Sequence, residues 1–155
     1  MKALVFSDLH GMTNVAVDML EKEQDCPLVI FLGDGVRDVE KLSKIYSDRK
    51  FIIVKGNNDF SCQQQSEAYK YIDGVTLMMC HGHLLDVKFS LRKLLNKAES
   101  VMANVALYGH THKQNMYNDP LTGICAINPG ALCEMKYCVM TFSSGQFDIE
   151  FKSLI

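Results

Sequence analysis

Apolar residues along this chain come in short blocks that alternate between two rhythms. Residues 3–6, 28–32, 51–54, 75–80 and 105–108 are apolar almost throughout and of strand length. The runs at 28–32 and 51–54 read as strands buried on both faces. Between them the spacing lengthens to that of a helix. Thr13 is placed to cap a helix that carries Val15, Val17, Met19 and Leu20 and runs to about Glu23. Val39, Leu42, Ile45 and Tyr46 share one face of a second helix, and Leu91, Leu94, Leu95, Ala98 and Met102 one face of a third. Strand, helix, strand, helix, strand predicts an α/β fold with a parallel sheet. Asp73-Gly74 predicts a two-residue hairpin between residues 68–72 and 75–80. Beyond residue 112 the chain is strand-rich and antiparallel in style, with turns at Asn118-Asp119-Pro120, Asn128-Pro129-Gly130 and Ser143-Ser144-Gly145.

The 155 residues fit one domain, 1–155, with no repeat or linker. Sixteen basic against eighteen acidic residues leave a formal charge of −2, with no basic block. That balance argues against extended nucleic-acid binding or an anionic membrane surface. The apolar runs are too short to span a bilayer, and the chain opens on a strand without a signal-peptide pattern, so a cytoplasmic location is expected. The six cysteines form no C-x-x-C pair and read as small structural side chains without disulfides.

What changes the picture is how the apolar runs end. Each of the five runs closes in a polar cluster: Asp8/His10, Asp34, Asn57/Asp59, His81/His83 and His110/His112. All five histidines of the chain lie in these clusters. In open α/β sheets ligands bind beyond the carboxyl ends of the strands, so five clusters distant in sequence are expected to meet along one sheet edge. Taken singly, each cluster reads as well as a turn or a helix cap, because Gly, Asn and Asp accept left-handed backbone. Taken together they form a set of carboxylates, amides and imidazoles without a thiol, suited to Mn²⁺, Fe²⁺, Ni²⁺ or Zn²⁺. The donors outnumber what one four-coordinate ion needs. Two divalent ions, Mn²⁺ first among them, are therefore expected, sharing a carboxylate and making hydroxide available at neutral pH for attack on a phosphoester.

The ordered set D-x-H, G-D, G-N-x-D, H-G-H and G-H-T-H resembles the calcineurin-like metallophosphoesterases, and among them the small YfcE-type phosphodiesterases. The resemblance runs from Asp8 to His112, and Asn128-Pro129-Gly130 matches a later turn of the family. It implies a four-layer αββα sandwich with two packed β-sheets. It also implies that Asp8, His10 and His112 hold the first metal, that Asp34 bridges, and that Asn57, His81 and His110 hold the second. Asp59 is expected to orient Asn57 or nearby backbone. His83 is a candidate to approach the substrate or orient a ligand. Asn58 departs from the pattern, since the wider family has histidine there and the YfcE type often cysteine. An amide cannot serve as a general acid near neutral pH, although Asn58 can still bond a phosphate oxygen.

The resemblance implies hydrolysis of a small phosphodiester by a hydroxide bridging the two ions. A phosphomonoesterase is one alternative. A non-catalytic metal-binding scaffold is another, as in the retromer subunit of this fold, whose bridging position is not Asp. A homo-oligomer is compatible with all three readings.

Overall fold

The computed structural model describes residues 1–155, the whole chain. Three strands run parallel at the start, β1 (Lys2–Phe6), β2 (Leu28–Phe31) and β3 (Lys50–Ile53). They are joined through helices α1 (Thr13–Lys22) and α2 (Val36–Ile45). β4 (Glu67–Ile72) and β5 (Val75–Cys80) form the expected hairpin, with Asp73 and Gly74 both left-handed. Helix α3 (Arg92–Ser100) then leads into β6 (Val105–Leu107). Four strands complete the chain: β7 (Gln114–Asn118), β8 (Cys125–Pro129), β9 (Lys136–Ser143) and β10 (Gln146–Ser153).

These strands make two five-stranded sheets, ordered β10-β9-β1-β2-β3 and β4-β5-β6-β8-β7. Alternation along the strands gives each sheet two buried faces. In β1, Ala3 and Val5 point into the cluster between the sheets, where Leu28 and Ile30 meet Leu77, Met79, Leu107 and Ile127. Leu4 and Phe6 point the other way, onto Ala16, Met19 and Leu20 of α1 and Val36, Val39 and Leu42 of α2. Met78, Ala106 and Ala126 of the second sheet face Leu94 and Ala98 of α3. Helices, sheet, sheet and helix are thus stacked in the four-layer α/β sandwich expected from the motif order.

Several sequence expectations are corrected in detail. Thr13 is the first residue of α1 and not its cap; Met12 holds the cap position without a side-chain bond. β3 is only partly buried because it is an edge strand. Ile45 is exposed: at about 100° per residue, nine residues carry it to the side opposite Val36. Met102 lies beyond the end of α3 and is exposed as well. The last third is not purely antiparallel, since β8 pairs parallel to β6. The strand ends that carry the polar clusters belong to two sheets, β1–β3 to one and β5 and β6 to the other.

Leu107 is fully buried between the sheets, one turn of chain before His110. Leu107→Ala should lower stability by about 3 kcal/mol, within the 2–5 kcal/mol usual for such truncations. Urea melts read this directly, and a loss below about 1 kcal/mol would contradict the packing of the two sheets.

Candidate metal centre

Backbone bonds between strand ends bring the clusters together. The N–H of Asp8 donates to the Gly33 carbonyl at 2.9 Å, and those of Leu9 and His10 to the Asp34 carbonyl at 3.0 and 3.2 Å. In the second sheet Gly109 N–H donates to the His81 carbonyl at 2.9 Å. A bond made by a side chain crosses between the sheets here, with His81 Nδ1 2.8 Å from the Leu32 carbonyl oxygen. A carbonyl only accepts, so Nδ1 carries the proton and Nε2 is left facing the other clusters.

The side chains converge in two overlapping groups. Asp8 Oδ1 lies 3.5 Å from His10 Nε2 and 3.2 Å from His112 Nε2. Asp34 Oδ2 lies 3.4 Å from His81 Nε2 and 3.8 Å from His10 Nε2. His110 Nδ1 is 3.2 Å from His81 Nε2, about the separation of two nitrogen ligands on one small ion. Asp8 Oδ1 also stands 3.8 Å from His81 Nε2, which joins the groups. Asp8-His10-His112 and Asp8-Asp34-His81 each gather their ligand atoms within 4.8 Å of one another.

The fit to divalent cations shows at single atoms. Asp8 is wholly buried; Oδ2 accepts from Ser7 Oγ at 2.6 Å and from His110 N–H at 3.1 Å, whereas Oδ1 accepts no hydrogen bond. A buried carboxylate oxygen without a donor is costly, and three imidazole nitrogens surround this one. Burial opposes a charge on His81, yet Asp34 and Asp8 outweigh it and raise its pKa. Burial would raise the Asp34 carboxyl too, but His81 and the Asn58 contacts hold it well below the usual carboxylate range. The pocket favours a positive charge, and oxygen and nitrogen donors suit a borderline-hard ion.

Conformation and close approach restrict which residues can stand around the site. Asp8, His10, Asp34, His110 and His112 all have φ between 47° and 69°. Non-glycine residues rarely adopt this region, at about 1–3 kcal/mol each, and such strain gathers at functional sites. A Cβ on Gly56 would lie 2.2 Å from Asp34 Oδ1, and one on Gly109 would lie 2.1 Å from Ser7 Oγ. The glycines of the G-N-N-D and G-H-T-H segments thus let main chain pass directly against the two buried carboxylates.

Of the G-N-N-D residues, Asp59 does the most. Its Oδ2 accepts from Asp34 N–H and Gly56 N–H, both at 2.7 Å, and its Oδ1 from Gly35 and Val36 N–H at 2.8 and 3.0 Å. It therefore orients backbone and fastens the start of α2, not Asn57. Asn57, expected as a ligand of the second metal, is exposed and its side chain forms no hydrogen bond. Asn58 turns to Asp34 instead, donating from N–H to Oδ1 at 2.9 Å and from Nδ2 to Oδ2 at 2.8 Å. His83 stands beside the cluster, its ring 5.4 Å from that of His81, with Nδ1 buried and unpaired. Burial, and then the His81 charge, lower its pKa.

Two residues carry roles that no motif announced. Buried Asn128 donates to the Gly109 carbonyl and Thr111 Oγ1 at 3.0 and 2.9 Å and accepts from Gly130 N–H, bracing the loop that carries His110 and His112. Glu134 Oε2 lies 3.6 Å from His112 Nδ1. The Asn128-Pro129-Gly130 turn was the only signal of the first, and nothing marked the second. All six cysteines are free thiols, and none belongs to the site's ligand groups.

A family model described as the calcineurin-like phosphoesterase superfamily domain matches residues 1–145. A probable metallophosphoesterase of Bacillus subtilis (strain 168), YsnB, is 29% identical over 133 residues, covering 85% of this chain and 75% of that protein. Among solved structures, a conserved uncharacterised protein of Streptococcus pneumoniae TIGR4, described as a predicted phosphoesterase, superposes with a TM-score of 0.83. The two share 24% identity over 98% of this chain and 88% of the other. A Vps29 variant from Entamoeba histolytica superposes with a TM-score of 0.78 at 17% identity, over the whole of both chains. At these identities the two structures speak for the fold alone.

Two substitutions test the grouping of ligands. Asp34→Asn should lower the occupancy of both ions, whereas His112→Ala should lower one more than the other, as read by elemental analysis of Mn²⁺-loaded protein. Equal losses in the two variants would contradict the grouping. Asn128→Ala should cost about 1–3 kcal/mol in thermal or urea melts, because it strands buried partners.

Proposed function

The chain belongs to the calcineurin-like phosphoesterase superfamily, and on that premise we propose that it is a metal-dependent phosphodiesterase that uses two divalent ions, with Mn²⁺ the first candidate. The observation that carries the reading is Asp8 Oδ1, a buried carboxylate oxygen that accepts no hydrogen bond and is faced by three imidazole nitrogens. Asp8, His10 and His112 would hold one ion, Asn57, His81 and His110 the other, and Asp34 would be shared by both. Bound there, such ions supply Lewis acidity toward the phosphoryl oxygens and a nucleophile drawn from water at neutral pH.

The residues of the chain set up the rest. The Leu32 carbonyl keeps the His81 proton on Nδ1, so that Nε2 would be free to hold an ion. Asn58 bonds both oxygens of Asp34, fixing the plane of that carboxylate. It has no proton to give a leaving group. His83, its ring 5.4 Å from that of His81, is the remaining candidate to assist the departing oxygen. With so little acid assistance, esters whose alcohols leave unaided are the better substrates, which favours aryl diesters over alkyl monoesters.

A non-catalytic scaffold is supported by the Vps29 superposition, which concerns fold alone. The match of residues 1–145 to the phosphoesterase family model weighs against it. No helix is long and apolar enough to cross a membrane.

Chelator-treated protein should lose turnover of bis(4-nitrophenyl) phosphate and regain it on addition of Mn²⁺. Wild type should cleave aryl diesters far faster than alkyl monoesters. Asn58→His should narrow that gap, by up to the roughly 10²–10⁴-fold that a positioned acid contributes. His83→Ala should slow poor leaving groups more than good ones. A wild type that prefers alkyl monoesters would overturn the phosphodiesterase reading.

A further inference from the structure

A cavity of about 440 Å³ opens directly off His10, Asp34 and Asn58, between the first turn of α2 and residues 58–62. It exceeds what a phosphoryl group needs and falls within the range of small-molecule sites, about 300–1,000 Å³. Its walls are fastened at two points. Asp59 accepts from Gly35 and Val36 N–H, and Gln64 Nε2 donates to Glu40 Oε1 at 2.9 Å. We propose that this cavity receives one ester arm of the substrate, and that the arm is a planar ring bearing hydrogen-bond donors and no further phosphate. The proposal rests on the phosphodiesterase reading of the metal centre and names its substrate class.

Three features of the lining select that class. Phe60 is 78% exposed on the cavity wall, an apolar ring face that a flat ligand ring would cover. Asp38 lines the facing side, on α2, half-buried, and its carboxylate forms no hydrogen bond or ion pair within the chain. A position in the first turn of α2 suits its charge but leaves its oxygens unpaired. Glu40 has one oxygen taken by Gln64 and one to spare. Ionised carboxylates only accept, so they call for donors on the ligand, such as the amino group of an aryl or heteroaryl amine. Four carboxylates line the cavity, Asp38 and Glu40 away from the metal centre and Asp34 and Asp59 at it, against the single guanidinium of Arg37, so the outer lining disfavours a second anionic group.

The test uses Mn²⁺-loaded protein and a matched series of 4-nitrophenyl phosphodiesters whose second arm is methyl, phenyl, 3-aminophenyl or 3-carboxyphenyl. Nitrophenolate release gives kcat/KM for each. Wild type should favour 3-aminophenyl over methyl by about tenfold or more, the scale of stacking on one aromatic side chain, and should disfavour 3-carboxyphenyl relative to phenyl. Phe60→Ala should collapse the phenyl-to-methyl ratio, and Asp38→Ala the aminophenyl-to-phenyl ratio. In the ratios compared between wild type and variant, intrinsic reactivity of the esters cancels. Ratios that survive both substitutions, or four esters cleaved alike by wild type, would overturn the subsite and leave the phosphodiesterase reading standing. Failure to cleave any of the four would overturn that reading itself.

Discussion

Two carboxylates, Asp8 and Asp34, are buried at the junction of two sheets within reach of the same imidazoles, and most of the local structure follows from holding them there. An ionised carboxylate taken out of water must be paired or hydrogen-bonded. The chain meets that demand unevenly. Asp34 has both oxygens bonded by Asn58, and Asp8 has one oxygen bonded by Ser7 and the His110 N–H. The remaining oxygen of Asp8 has only imidazoles for company. A fold selected for stability alone would not leave that atom without a donor.

Holding the arrangement has a structural cost that falls elsewhere in the chain. Five residues of the site adopt left-handed backbone, at about 1–3 kcal/mol each. Such conformations persist only where surrounding structure over-determines them. Here the surroundings are the cluster between the sheets and the two clusters beneath the helices, with Asp59 and Asn128 as polar braces. The braces divide the work by sheet. Asp59 fastens the loop after β2 in the first sheet, and Asn128 fastens the loop after β6 in the second. His81 joins the two through Leu32.

Much of this was legible in the sequence, and for a definable reason. Burial on both faces makes the central strands continuously apolar, so polar residues at their ends stand out, as Asp8, Asp34 and His81 do. The 3.6-residue rhythm located all three helices, but it misplaced Ile45 because a face defined by steps of three drifts around the helix. Assignment of strands to two sheets was not readable from the rhythm of the chain, since pairing is non-local. Only the order of motifs pointed to it. Asp59 was visible as the end of a motif, while three of its four backbone bonds reach residues more than twenty positions away in sequence. The exposed orientation of Asn57, and the turn of Asn58 toward Asp34, lie in side-chain geometry that no pattern of residue types encodes.

The same fold also occurs in Vps29, so architecture alone cannot separate a phosphoesterase from a scaffold. The separation lies in what the strand ends carry. A docking surface needs apolar area at the rim and has no use for buried charge, whereas this chain spends backbone strain and two desolvated carboxylates on a point between its sheets. The charge pattern there is that of a cation site. The cavity beside it, about 440 Å³, is larger than a phosphoryl group and is lined by four carboxylates against one guanidinium. Metal centre and cavity share His10, Asp34 and Asn58 as their common wall. A change in the orientation of Asn58 would therefore alter the ligand field of Asp34 and the shape of the cavity together.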